Sequence, residues 1–124
     1  MAQKGMVINM ISKKNSREID VRTGAEGGNG SISMDKLNSP VIKPSKVRKF
    51  AHAKLEPGAS VGYHVHYGES ETFYFLSGKG KYSDNGTEIE VNAGDVTYTP
   101  DGEGHSIENI GDDVLEFLLL IVVD

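Results

Sequence analysis

The chain has 124 residues, enough for one core of ordinary domain size and too few for two. Apolar residues make up 37% and charged residues 25%, a balance typical of a globular, turn-rich protein and not of a disordered one. A formal net charge of −5 argues against nucleic acid as a partner, and the absence of cysteine excludes disulfides and thiolate metal ligands.

Residues 1–10 lack a sustained apolar core followed by a small-residue cleavage site, so they do not read as a secretion signal and the cytoplasm is the expected compartment. Residues 15–30 are polar and end in Gly24-Ala25-Glu26-Gly27-Gly28-Asn29-Gly30, which reads as a loop. The loop lacks the Lys-Ser/Thr pair that a phosphate-binding loop needs. Pro40 and Pro44 bracket residues 41–43 and disfavour a long helix there. The expected organisation is therefore an N-terminal arm over 1–46 and a barrel domain over 47–124.

Beyond Val47, turn signals recur at Pro57-Gly58, Gly68, Gly78, Asn85-Gly86, Asn92-Ala93-Gly94, Pro100-Asp101-Gly102 and Asn109-Ile110-Gly111. Between them lie strand-length segments near 47–55, 60–66, 71–77, 79–83, 87–91, 95–99, 104–109 and 114–123, rich in β-branched and aromatic residues. Regular short strands with frequent turns predict an all-β sandwich or barrel. Asn85-Gly86 predicts a tight hairpin, because both residues accept left-handed backbone angles. Residues 117–123 are far too few to span a bilayer, so they predict a buried strand and no membrane role.

Two glycine-containing blocks carry the histidines. The first runs Gly58, His64, His66, Glu71, Gly78, and the second Gly94, Pro100, Gly102, His105, Asn109. Side chains two apart on a strand share a face, so His64 and His66 would aim two imidazoles inward together. Glu71 can reach that face from the next strand, and His105 must join from a separate one. Three imidazoles and a carboxylate suit one divalent ion of Mn, Fe, Ni, Co, Cu or Zn and leave coordination positions open. By the same alternation Phe73 and Phe75 would wall the pocket, with Tyr98 a candidate polar contact to substrate. Glu69 and Glu103 flank the site as candidate acids or bases. His52 alternates with Ala51, Ala53 and Leu55, so it is expected on the surface or at an interface.

In these residues and spacings the two blocks resemble the signature motifs of the cupin superfamily, and the small single-domain members in particular. The resemblance implies a double-stranded β-helix, or jelly-roll barrel, with an N-terminal arm, and a metal held by His64, His66, Glu71 and His105. A homodimer is also expected, both from the resemblance and because a barrel of this kind has edges to cover. The fold does not choose a reaction. One expectation is a metal-dependent enzyme acting on a small chelating carboxylate, diol or enol, with dioxygenase, decarboxylase, lyase and isomerase chemistry all open. Another is a binding or sensor module for a small molecule or metal. A barrel with a vestigial motif is a third, weakened by the intact ligand set.

Overall fold

The computed structural model describes residues 11–39 and 44–124, so the readings of residues 1–10 and of the segment bracketed by Pro40 and Pro44 lie outside the described residues. Ten strands run in order: β1 (Ile19–Thr23), β2 (Ser31–Lys36), β3 (Val47–Leu55), β4 (Ser60–Val65), β5 (Glu69–Ser77), β6 (Lys79–Asp84), β7 (Thr87–Asn92), β8 (Val96–Thr99), β9 (Gly104–Asn109) and β10 (Leu115–Val123). They form two antiparallel sheets, one ordered β1-β2-β3-β10-β5-β8 and the other β4-β9-β6-β7. The fold is a double-stranded β-helix. No helix of the described residues is long and apolar enough to cross a membrane.

Period-two alternation builds the core. In β10, Leu115, Phe117, Leu119 and Ile121 are buried while Glu116, Leu118 and Leu120 face the other way. Inward residues of the larger sheet, among them Leu55, Phe73, Phe75 and Phe117, meet Tyr82, Val91 and Ile107 from the smaller one. The hairpin at Asn85-Gly86 is present: Asp84 pairs with Thr87, and the two turn residues have φ of 51° and 101°.

The expected loop over residues 15–30 contains a strand. β1 pairs with β2 from Ile19 opposite Asp35 to Thr23 opposite Ser31, so strand pairing in the larger sheet begins at Ile19 and not near Val47. The physical reason is β1's position at a sheet edge: Ile19 and Val21 alternate with Asp20 and Arg22, but both are exposed, so the strand buries no apolar face and its short alternation is easily lost in a polar, glycine-rich stretch. Its backbone ladder suffices, reinforced by Arg17, whose guanidinium donates to both oxygens of Asp35 at 2.9 Å.

Between β1 and β2 a 3-10 turn (Ala25–Gly27) lies flat on β4. Gly28 and Gly62 permit this contact: a Cβ on Gly62 would run into the carbonyl of Glu26, and one on Gly28 into that of Ser60. Ser60 stitches the two segments together. Its N–H donates to the Asn29 carbonyl at 2.8 Å, and its Oγ accepts from the Asn29 N–H at 2.9 Å.

Candidate metal centre

Register brings the four predicted ligands to one place. His64 of β4 pairs with His105 of β9 across the smaller sheet, His66 follows at the end of β4, and Glu71 projects inward from β5. His66, Glu71 and His105 are buried and His64 is half-buried. Their inner atoms converge. Glu71 Oε1 lies 2.8 Å from His66 Nε2 and 2.9 Å from His105 Nε2, and His105 Nε2 lies 3.1 Å from His66 Nε2 and 3.2 Å from His64 Nε2. All four donor atoms fall within 4.8 Å of one another, so the cluster could hold a metal ion. Two donors about 2.1 Å from an ion and at right angles would stand about 3.0 Å apart. The four separations given above are close to that value, and the nitrogen and oxygen donor set fits a first-row divalent ion.

A second layer of hydrogen bonds fixes the imidazoles. His64 Nδ1 lies 2.8 Å from the Gly62 carbonyl, an acceptor only, so Nδ1 carries the proton and Nε2 presents its lone pair inward. His66 Nδ1 donates in the same way to Glu69 Oε2 at 2.7 Å. Glu69 is itself held by Arg48, whose guanidinium reaches both carboxylate oxygens at 2.7 and 2.9 Å. His105 Nδ1 sits 2.8 Å from the Tyr82 hydroxyl and 3.0 Å from Thr99 Oγ1, which bond each other at 2.8 Å. Outer partners of this kind orient ligands and raise their basicity.

The electrostatics follow from the packing. Burial alone would raise the Glu71 pKa, but hydrogen bonds from His105 and His66 outweigh it and hold the carboxylate at about 2. The Glu71 bond raises His66 above the ordinary imidazole value against the opposing effect of burial, with Glu69 assisting. Burial dominates at His64 and lowers its pKa.

A cavity of about 120 Å³ opens beside the cluster, lined by His64, Glu71 and Phe73 together with Leu119 and Ile121. Phe73 stacks tilted against His105 at 5.1 Å between ring centroids. Phe75 lies one layer deeper, packed on Phe117 and fully buried. Tyr98 is not brought to the cluster. Thr99 occupies the inward side of β8, so Tyr98 faces outward, 59% exposed, and borders a separate hollow with Asp95 and Ile89. Glu69 acts behind His66, and the Glu103 side chain is exposed while its carbonyl accepts the His66 N–H at 3.1 Å. His52 points away from the core, its Nε2 2.9 Å from Glu116 Oε1.

The same cavity is lined by residues that sequence reasoning missed: Arg22, Glu26, Arg48 and Lys49. All come from β1, the turn after it, or β3. The one local signal was the glycine run, which lets the Glu26 turn lie against β4.

A double-stranded β-helix with three imidazoles and a carboxylate converging beside an internal cavity defines a class of small, metal-competent β-barrels. The chain belongs to the cupin family: the Cupin domain model matches residues 51–122. An oxalate-binding protein of Thermotoga maritima is 48% identical over 97 residues, covering 78% of this chain and 80% of that protein. Oxalate decarboxylase of Bacillus subtilis is 38% identical over 99 residues, 76% of this chain but 25% of that longer enzyme. Among solved structures, a Thermotoga maritima protein described as a predicted oxalate decarboxylase superposes with a TM-score of 0.83 at 39% identity, covering 93% of this chain and all of that one.

Proposed function

We propose that this cupin binds one divalent metal ion through His64, His66, Glu71 and His105 and takes oxalate, or a closely related small carboxylate, at the ion's open positions. The observation that carries this reading is the convergence of three Nε2 atoms and Glu71 Oε1 beside a cavity, with four of the six separations at 2.8 to 3.2 Å and all donor atoms within 4.8 Å of one another. An ion of Mn, Fe, Ni, Co, Cu or Zn would act there as a Lewis acid on a bound carboxylate. The segment ahead of β3, expected to be an arm on the barrel over 47–124, adds β1 and β2 to the larger sheet and one wall to the cavity through Ala25, Glu26 and Ile32. Phe73 gives that pocket an apolar face and Phe75 supports it from beneath, which keeps bulk water from the ligand.

Enzymatic turnover is the preferred form of the reading. Non-redox cleavage of oxalate to formate and carbon dioxide consumes one proton, and Glu26 is our candidate to deliver it, because it lines the cavity with His64 and Glu71 and acts electrostatically on His64. A second reading, binding without turnover, is favoured by the relative named for oxalate binding. Incubating metal-loaded protein with oxalate, with calorimetry for binding and mass spectrometry for products, separates them. Formate and carbon dioxide in equal amounts establish the enzyme, and saturable binding with all oxalate recovered establishes the binding protein. Failure to bind oxalate at any metal loading refutes both.

A further inference from the structure

Strand register puts a cation on the row of a metal-ligand candidate. Across the larger sheet Lys49 of β3 stands opposite Ile121 of β10, Ile121 opposite Glu71 of β5, and Glu71 opposite Thr99 of β8. Residues directly opposed on neighbouring strands project to the same face. Lys49 and Glu71 therefore both point into the barrel, two strand spacings or about 10 Å apart at the backbone, with Ile121 between them. A register shift adds to this. Ile121 pairs with Lys49 while Val122 pairs with Val47, so Arg48 is an extra, bulged residue, and β3 offers two consecutive cations to the cavity.

Of the three cations lining that cavity, two are committed elsewhere. Arg48 is clamped by both oxygens of Glu69. Arg22 lies at the rim with its side chain 56% exposed, bonded to Asp20 at 3.2 Å. Lys49 is different. Its side chain is only 12% exposed, yet among the described residues its carboxylate partner is Asp20, at 3.9 Å, and its hydrogen-bond contact is Met34 Sδ, at 3.7 Å. An ammonium carries three donors, and taking it out of water beside a thioether and a distant carboxylate is unfavourable until an anion completes its shell. Burial accordingly lowers the Lys49 pKa, a strain that a bound anion relieves.

We infer that Lys49 is the anion-recognising residue of this site and that it selects a dianionic carboxylate over a neutral diol or enol. The inference rests on the metal reading above and narrows it. A planar dicarboxylate chelating an ion through one oxygen of each carboxylate would keep its remaining oxygens away from the ion, in the cavity whose lining includes Lys49. A neutral chelator would fill the same positions but leave the ammonium with only the long contact to Asp20 and the thioether of Met34. The cavity, at about 120 Å³ and open to solvent on one side, has room for a ligand the size of a small dicarboxylate.

The test uses the full-length, metal-loaded protein and its Lys49→Met and Lys49→Arg variants, with metal content by elemental analysis and Kd values by calorimetry for oxalate and for imidazole, a neutral ligand of the same ion. The expected result is unchanged metal content and imidazole affinity in both variants, oxalate binding weakened at least tenfold in Lys49→Met, and most of it recovered in Lys49→Arg. The inference is overturned if metal-replete Lys49→Met binds oxalate within twofold of the wild type. It is equally overturned if oxalate and imidazole weaken together, which marks a structural defect. Wild-type protein that binds metal but no oxalate would instead sink the functional reading, and this inference with it.

Discussion

Each imidazole of the cluster is engaged at its outer nitrogen, and that engagement turns the inner one toward Glu71 and its neighbours. The relay from Arg48 through Glu69 to His66 is the clearest case, because Glu69 touches no inner donor atom and acts only through the histidine it orients. Glu69→Gln should therefore weaken metal affinity by about 10- to 100-fold while leaving the fold intact, measured by competition with a chelator and by circular dichroism. Unchanged affinity would mean that this outer layer does not tune the site. Glu71 supplies the pH dependence of the metal-free protein. Its folded pKa of about 2 lies below the ordinary 4.5, so its stabilisation is complete above about pH 4.5 and is lost as pH falls toward 2. His66 has the opposite sign: its raised pKa stabilises the fold at acid pH, and that contribution fades as pH rises through the raised value. Glu71→Gln should flatten the acid limb of the stability profile below pH 4.5, by an amount on the order of 2 kcal/mol. Urea titrations of metal-free wild type and variant at pH 6 and pH 3 measure this, and parallel losses in the two proteins would contradict it. The cluster was legible in the sequence because alternation along one strand pairs His64 with His66, while Glu71 and His105 were joined to them by the two motif blocks that resemble the cupin signature. Lys49 was not: its partnership with Glu71 exists only through β10, which lies between β3 and β5 in space but after both in the chain.

At the scale of elements, the segmentation of β3 to β10 followed from turn residues and β-branched runs, with boundaries within two residues of those observed. β1 escaped because an edge strand held by its backbone ladder and an arginine–aspartate pair buries no apolar face, and its brief alternation sits in a polar, glycine-rich stretch. The turn beside it is tied to β4 by the absence of a side chain at Gly62. Gly62→Ala should push the Ala25–Gly27 turn off the strand, increasing amide exchange across residues 24–28 and lowering the melting temperature by several degrees. Exchange unchanged in that segment would contradict the packing. Asn109 closes the opposite connection. Buried at 1% exposure, its Nδ2 donates to the carbonyls of Leu55 and Asp113, both at 2.8 Å, while its Oδ1 accepts from Gly111 N–H at 2.9 Å. Asn109→Ala strands two carbonyls and an amide and should destabilise the protein by about 2 to 3 kcal/mol in chemical denaturation. A loss below about 0.5 kcal/mol would show that water replaces the side chain.

At the scale of the molecule, the larger sheet carries apolar side chains on both faces. Its outer face presents Tyr74, Leu76, Val96 and Tyr98, exposed at 44%, 40%, 61% and 59%, with Leu118 beside Tyr74 in register. An apolar surface of that kind favours association, and we expect two copies to pair through it as a homodimer. Light scattering should give a dimer for the wild type and a monomer for Tyr74→Glu/Leu118→Glu, and a monomeric wild type would remove the proposal. The more central claim concerns the ion. The most direct measurement is metal content per chain, by elemental analysis, of the protein loaded under anaerobic conditions and of a His64→Ala/His66→Ala variant with the same circular dichroism. The account predicts about one divalent ion per chain in the first and essentially none in the second. Equal metal content in the two, or none in either, would contradict it.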